Sequence, residues 1–151
     1  MRRNTISFIV LMITIVMMGA CGNNAWDELP SPIAKFVSEY FPYGEVASYV
    51  VTDKGSTVKI RNGAELTFDT DYNWTKVNGR GATLPQQFIY DQLPSELYDY
   101  LEAIETDEGI YCVTRDGQII VVELLDSKVE YDGTTGTISY PSAPLHDVLN
   151  L

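Results

Sequence analysis

The chain has few residues whose types and spacing suit chemistry. Its 151 residues include one histidine, His146, and two cysteines, Cys21 and Cys112. That leaves almost no material for a zinc site, a Cys–His nucleophile or a Ser-His-Asp triad. His146 follows Pro141 and Pro144, with no Cys or acidic cluster at ligand spacing, and reads as a surface residue. Carboxylates are plentiful: Asp27-Glu28, Asp69 and Asp71, Glu105 with Asp107 and Glu108, Glu130 and Asp132. An acid–base pair needs one carboxyl desolvated and the other polar across a cleft. No spacing here implies that, so the acids read as a solvated surface. Asp69-Thr70-Asp71-Tyr72-Asn73 matches the start of a calcium loop, but Trp74 and Arg80 stand where Gly and Glu are required. Asp and Asn are also what a hairpin turn prefers. The sequence calls for no metal, no cofactor and no enzyme activity.

The two thiols read differently. Cys112 lies in Ile110-Tyr111-Cys112-Val113, a strand pattern without a neighbouring Lys or His to lower its pKa, and is expected to be a buried, inert thiol. Cys21 follows Arg2-Arg3, an apolar run from Ile6 to Met18 broken only by Ser7 and Thr14, and Gly19-Ala20. A basic start, a short apolar region and small residues before a cut describe a secretory signal. With Cys directly after them, the segment resembles a bacterial lipoprotein signal. The resemblance implies cleavage before Cys21 and its acylation. A lipid on Cys21 holds the protein to a bilayer, each buried CH₂ contributing about 0.8 kcal/mol. The expected location is therefore an exported, membrane-anchored lipoprotein of the outer membrane, on its periplasmic or cell-surface side. Residues 22–28 complete a short polar tether, in which Trp26 either meets the headgroups or caps the core.

Removing residues 1–20 takes two of the ten basic residues and no acid, so the formal charge moves from −11 to −13 over the remaining 131 residues. Such acidity argues against nucleic acid as partner, which needs a basic face. At 45% hydrophobic residues the chain is globular and of single-domain size.

The elements follow from an internal repeat. Leu29-Pro30-Ser31 recurs as Leu93-Pro94-Ser95. Ile33, Phe36, Val37 and Tyr40 follow the first; Leu97, Tyr100, Leu101 and Ile104 follow the second, both at the spacing of an amphipathic helix. Ser31 is expected as N-cap with Pro32 at the first helical position. Strands are expected at 46–52, 56–60, 64–69 and 73–77, then at 110–114, 118–125, 128–132 and 136–140. The chain thus divides into signal 1–20, tether 21–28, repeats 29–83 and 84–140, and a tail 141–151.

Register is open in part. A three-residue loop Arg61-Asn62-Gly63, with Gly63 left-handed, gathers Val58, Ile60, Leu66 and Phe68 on one face. If Asp53-Lys54-Gly55 and Arg115-Asp116-Gly117 are also three-residue loops, Val50 and Cys112 face the helices. Tyr49, Val51, Tyr111, Val113, Ile119 and Val121 then line the helix-free face. Two-residue loops exchange the faces in the first strand of each repeat.

Leu29-Pro30, Tyr40-Phe41-Pro42, Asn62-Gly63, Glu65-Leu66-Thr67-Phe68-Asp69 and Trp74 together resemble the PepSY-like lipoproteins described as putative β-lactamase-inhibitor-like. The likeness spans about residues 29 to 138. It implies an α+β fold: a helix followed by an antiparallel β-meander, in tandem, with the helices on one face of the sheet. The second repeat departs from the pattern, lacking an aromatic-Pro helix end and a Trp near position 137.

Ten tyrosines are a residue type suited to contact surfaces, and six apolar residues on the helix-free face need a cover: a partner, a second protomer, the other repeat or the tail 141–151. Two functions follow. One is a lipid-anchored envelope module that binds or inhibits an exported protein or peptide through that face; the other is a scaffold lipoprotein without inhibitory action.

Overall fold

The computed structural model describes residues 24–104 and 109–140. Within them lie three helices, α1 (Ser31–Tyr40), α2 (Gln86–Gln92) and α3 (Ser95–Ala103), and eight strands. These are β1 (Val46–Thr52), β2 (Gly55–Ile60), β3 (Glu65–Phe68), β4 (Trp74–Asn78), β5 (Cys112–Asp116), β6 (Ile119–Glu123), β7 (Lys128–Asp132) and β8 (Thr137–Ser139). The strands form one antiparallel sheet in chain order, β1 to β8. The signal segment, Cys21, the acidic cluster at 105–108, the tail and His146 lie outside the described residues.

Both expected amphipathic helices form. Ile33, Val37 and Tyr40 of α1, and Leu97 and Leu101 of α3, are buried. Helix α1 starts one residue earlier than the Ser31-cap reading, and α3 starts in the same way. Ala34 N–H donates to Pro30 O (2.9 Å) and Tyr98 N–H to Pro94 O (2.9 Å), so a proline occupies each cap position and neither serine caps. Proline fits because its own missing N–H is not needed there. Helix α2 was not expected; it buries Phe88 and Ile89. Trp26 packs against the core.

Register decides the faces. Along the centre of the sheet, Tyr49, Val58, Leu66, Val77, Val113, Val122 and Val129 stand directly opposite one another in successive strands. From Val58 to Val129 every member is fully buried. Each such side chain contributes about 1.5–3 kcal/mol through burial. The next row, on the other face, runs Val50, Thr57, Thr67, Lys76, Thr114, Val121, Glu130 and Ser139. The helix-free side is therefore rich in Thr and charge.

The β2–β3 loop has three residues as expected: Ile60 N–H donates to Ala64 O (2.9 Å). Asn62, not Gly63, takes the left-handed conformation (φ 53°). The other two hairpins have two-residue loops, since Thr52 pairs with Gly55 and Asp116 with Ile119. Gly117, at φ 57°, supplies the positive φ that a tight hairpin needs at its first loop residue. Gly55 (φ 138°) is required for a different reason: a Cβ there would stand 2.0 Å from Phe68 O.

An aromatic cluster joins the helices to the sheet. Phe88 of α2 meets Phe36, Tyr40 and Trp74 edge-on, at ring distances of 6.0, 5.6 and 5.3 Å. Around it, Trp74 Nε1 donates to Gln92 Oε1 (2.8 Å) and Gln92 Nε2 to the Tyr40 hydroxyl (2.7 Å). Arg115 lies 4.0 Å over the Trp74 ring and donates to Gln92 O (3.1 Å). Burial raises the Tyr40 pKa and lowers that of Arg115.

Candidate functional site

The six residues expected on the helix-free face divide. Ile119 and Val121 lie there, opposite Asp132 and Glu130. Tyr111 precedes β5 and is half-buried, and its N–H donates to Glu123 O (2.9 Å). Tyr49, Val51 and Val113 are corrections. Two-residue loops place them on the helix side, with Val58, Ser56 and Val122 opposite them. Cys112 is buried as expected, opposite Glu123 on the far face, and burial followed by the Glu123 charge pushes its thiol pKa up.

The surface that stands out is the free edge of the sheet. β1 is terminal, so one side of its backbone has no strand partner among the described residues. It carries no charged residue over Val46–Thr52, and Val50 and Val51 are 52% and 65% exposed. Natural sheets usually blunt such an edge with charge, Pro or a bulge. Here a bulge at Ala47 blunts only its beginning, bringing both Val46 and Tyr49 to the helix side.

Beside that edge a cavity of about 240 Å³ opens between the β1–β2 hairpin and the β3–β4 turn. Tyr49, Val51, Thr52, Gly55, Ser56, Asp69, Thr70 and Tyr72 line it. Asp69 is its one charged lining residue. Ser56 is 4% exposed, and its Oγ has no hydrogen-bond partner among the described residues. A buried hydroxyl left unpaired costs about 1–3 kcal/mol. Tyr72 is held left-handed (φ 65°), a conformation that costs a bulky residue about 1–2 kcal/mol.

The Asp69 side chain holds this turn. Asp71 and Asn73 N–H both donate to Oδ1 (2.9 Å each), and Asn73 Nδ2 donates to Oδ2 (3.2 Å). Desolvation alone would raise its pKa, but these bonds outweigh it and hold the carboxyl below the usual range. Its oxygens face the turn's own donors, the arrangement of a capped turn. No group of three or more His, Cys, Asp or Glu is disposed to hold a metal ion among the described residues.

A wider groove of about 670 Å³ lies beside Lys59, Arg61 and Arg80, all three paired with Glu45 or Glu65. Sequence reasoning missed the β1 pocket. Tyr49 and Val51 were singled out, but for the wrong face. The available signal was the Asp69–Asn73 turn next to an uncharged strand.

No curated protein matches the chain significantly. A family model described as "Putative beta-lactamase-inhibitor-like, PepSY-like" matches residues 25–73 and 54–134. Among solved structures, one from Bacteroides thetaiotaomicron, described as a putative calcium-regulated periplasmic protein, superposes with a TM-score of 0.65 at 19% identity, covering 78% of this chain and 93% of its own. A putative periplasmic protein of the DUF2874 family from Bacteroides vulgatus gives 0.62 at 22% identity, covering 76% and 90%. A second Bacteroides vulgatus protein, described as putative periplasmic and of unknown function, gives 0.61 at 19% identity, covering 75% and 93%. These likenesses show the α+β fold. No helix among the described residues is long and apolar enough to cross a membrane.

Proposed function

The chain belongs to the PepSY-like family described as putative β-lactamase-inhibitor-like, and from that premise we propose that it is an exported, lipid-anchored binding module, not an enzyme, whose β1 edge accepts an extended segment of another exported protein. The free edge carries this reading. An incoming strand would take its hydrogen bonds from the unpaired side of β1, while alternate side chains contact Val50 on one face and the Tyr49–Val51 side on the other. The first half's helix and four strands and the second half's two helices and four strands are read as one unit used twice. Export and anchoring rest on Arg2-Arg3, the apolar run and Gly19-Ala20-Cys21, supported by the periplasmic descriptions of proteins with the same fold. A Cys21→Ala chain is expected to leave the membrane fraction, or to remain unprocessed. Membrane retention of a processed, unlipidated chain would refute the anchor.

Displayed peptides selected on the full chain in detergent test the edge. Bound peptides should protect the amides of residues 46–52 from hydrogen exchange, and Val50→Lys should weaken binding about tenfold by charging the edge. Protection confined to the Thr67, Thr114 and Val121 region would instead favour docking on the helix-free face, where Ile119 and Val121 lie.

A further inference from the structure

Three features coincide at the β1 pocket and nowhere else among the described residues: a cavity with a single carboxylate, a buried hydroxyl without a partner, and a bulky residue in the left-handed region. We propose that the pocket is a primary-ammonium site, filled by a lysine side chain of the peptide strand that adds to β1; this rests on the reading of β1 as a docking edge.

The chemistry selects the ligand class. Asp69 is the one charged residue lining the pocket, and its Oδ2 accepts only one bond, from Asn73 Nδ2. A carboxylate oxygen has room for a second donor. One carboxylate balances a monovalent cation; a calcium ion requires six to eight oxygens, several of them charged. Tyr49 and Tyr72 line the same cavity, and aromatic faces attract ammonium groups. An ammonium carries three donors and no acceptor. It can donate both to Asp69 Oδ2 and to Ser56 Oγ, a hydroxyl without a partner among the described residues. A volume of about 240 Å³ holds an aminobutyl chain with space to spare. The cavity adjoins β1 through Tyr49, Val51 and Thr52, so an adjacent strand can deliver a side chain into it. The strain at Tyr72 has a matching account: the left-handed backbone holds the ring at the cavity, and strained residues persist where the surroundings fix them for a task. Finally, a mature chain of formal charge −13 draws cationic segments toward itself before contact.

The test uses the full chain, ¹⁵N-labelled, in detergent micelles. Its probes are Nα-acetyl-lysine N-methylamide and the norleucine counterpart, which keeps the chain and lacks the ammonium. The lysine probe should give saturable amide shifts at Tyr49, Ser56, Thr70 and Tyr72, and the norleucine probe should bind about tenfold more weakly. Asp69→Asn retains an acceptor for the turn's N–H groups but removes the charge, and should weaken lysine binding about tenfold. Ser56→Ala should fold as well as the parent and weaken binding severalfold. Equal binding of the two probes, no saturable shift, or indifference to both substitutions would overturn the ammonium site. Lysine-selective binding of the small probe, with no protection of β1 by any lysine peptide, would overturn the strand-borne source and the edge reading with it. Protection of β1 by peptides without a lysine preference would overturn the pocket assignment alone.

Discussion

The two halves end in hairpin turns built on one device and finished differently. In the β3–β4 turn, Asp69 accepts the N–H groups of Asp71 and Asn73; in the β7–β8 turn, Asp132 accepts that of Thr134 at 2.8 Å. Each turn then needs a residue at positive φ. The second uses Gly136 (φ 69°), with open space where a Cβ would point. The first uses Tyr72 (φ 65°), where the β1 pocket opens. The outer strands differ likewise: β8 has three residues, β1 seven without a charge. The second half meets its last turn and its edge by local rules, while the first departs from both beside the β1 pocket. Local rules are broken where a structure is committed to something besides stability. If the β1 pocket binds as proposed, the first half is the working half.

The largest effect is expected where the halves meet. Phe88 is fully buried between Phe36, Tyr40 and Trp74. Phe88→Ala should cost about 3–5 kcal/mol in urea unfolding, through lost burial and the cavity left behind. Val50→Ala, on the exposed edge, should change stability by no more than about 0.5 kcal/mol. A large loss at Val50 would mean that the edge is internally supported, and the contrast between the two ends of the sheet would fail.

A smaller effect separates the turns directly. Tyr72→Gly relieves left-handed strain of about 1–2 kcal/mol, offset in part by the freedom glycine gains in the unfolded chain. A net gain of up to about 1 kcal/mol is expected. Gly136→Ala meets no neighbouring atom, so backbone conformation alone should make it lose about 1 kcal/mol. The two substitutions should shift the melting temperature in opposite directions. Equal signs would show that Tyr72 is not strained in the way its φ implies.

The sequence carried the elements better than the faces. Apolar spacing located α1, α3 and all eight strands, because amphipathic periods survive small errors at element ends. It did not fix which side Tyr49, Val51 and Val113 take. A one-residue change in hairpin loop length turns a whole strand over, and a glycine at 55 or 117 is compatible with either loop. The bulges at Ala47 and Thr75 are equally silent in sequence. Helix α2, with seven residues, offered too short a period. The candidate pocket was legible only as a turn. That Ser56 lacks a partner is a property of everything packed around it, and no local pattern records that.

The smallest difference should appear in acid. Backbone hydrogen bonds lower the Asp132 pKa, with that from Thr134 foremost; at Asp69 desolvation acts the other way and is outweighed by bonds from Asn73 and Asp71. Both groups therefore have folded pKa values below the unfolded value of about 3.9. A depressed carboxyl contributes stability that is complete above the unfolded pKa and is lost as pH falls through the folded one. The melting temperature should thus be insensitive to these two groups near neutrality and decline below about pH 4. Asp132→Asn should flatten that decline without altering lysine binding. Asp69→Asn should flatten it and weaken lysine binding together, since only its carboxylate lines the pocket. If Asp132→Asn reduced binding as much as Asp69→Asn, the effect would be one of overall charge, and the asymmetry between the halves would lose its chemical meaning.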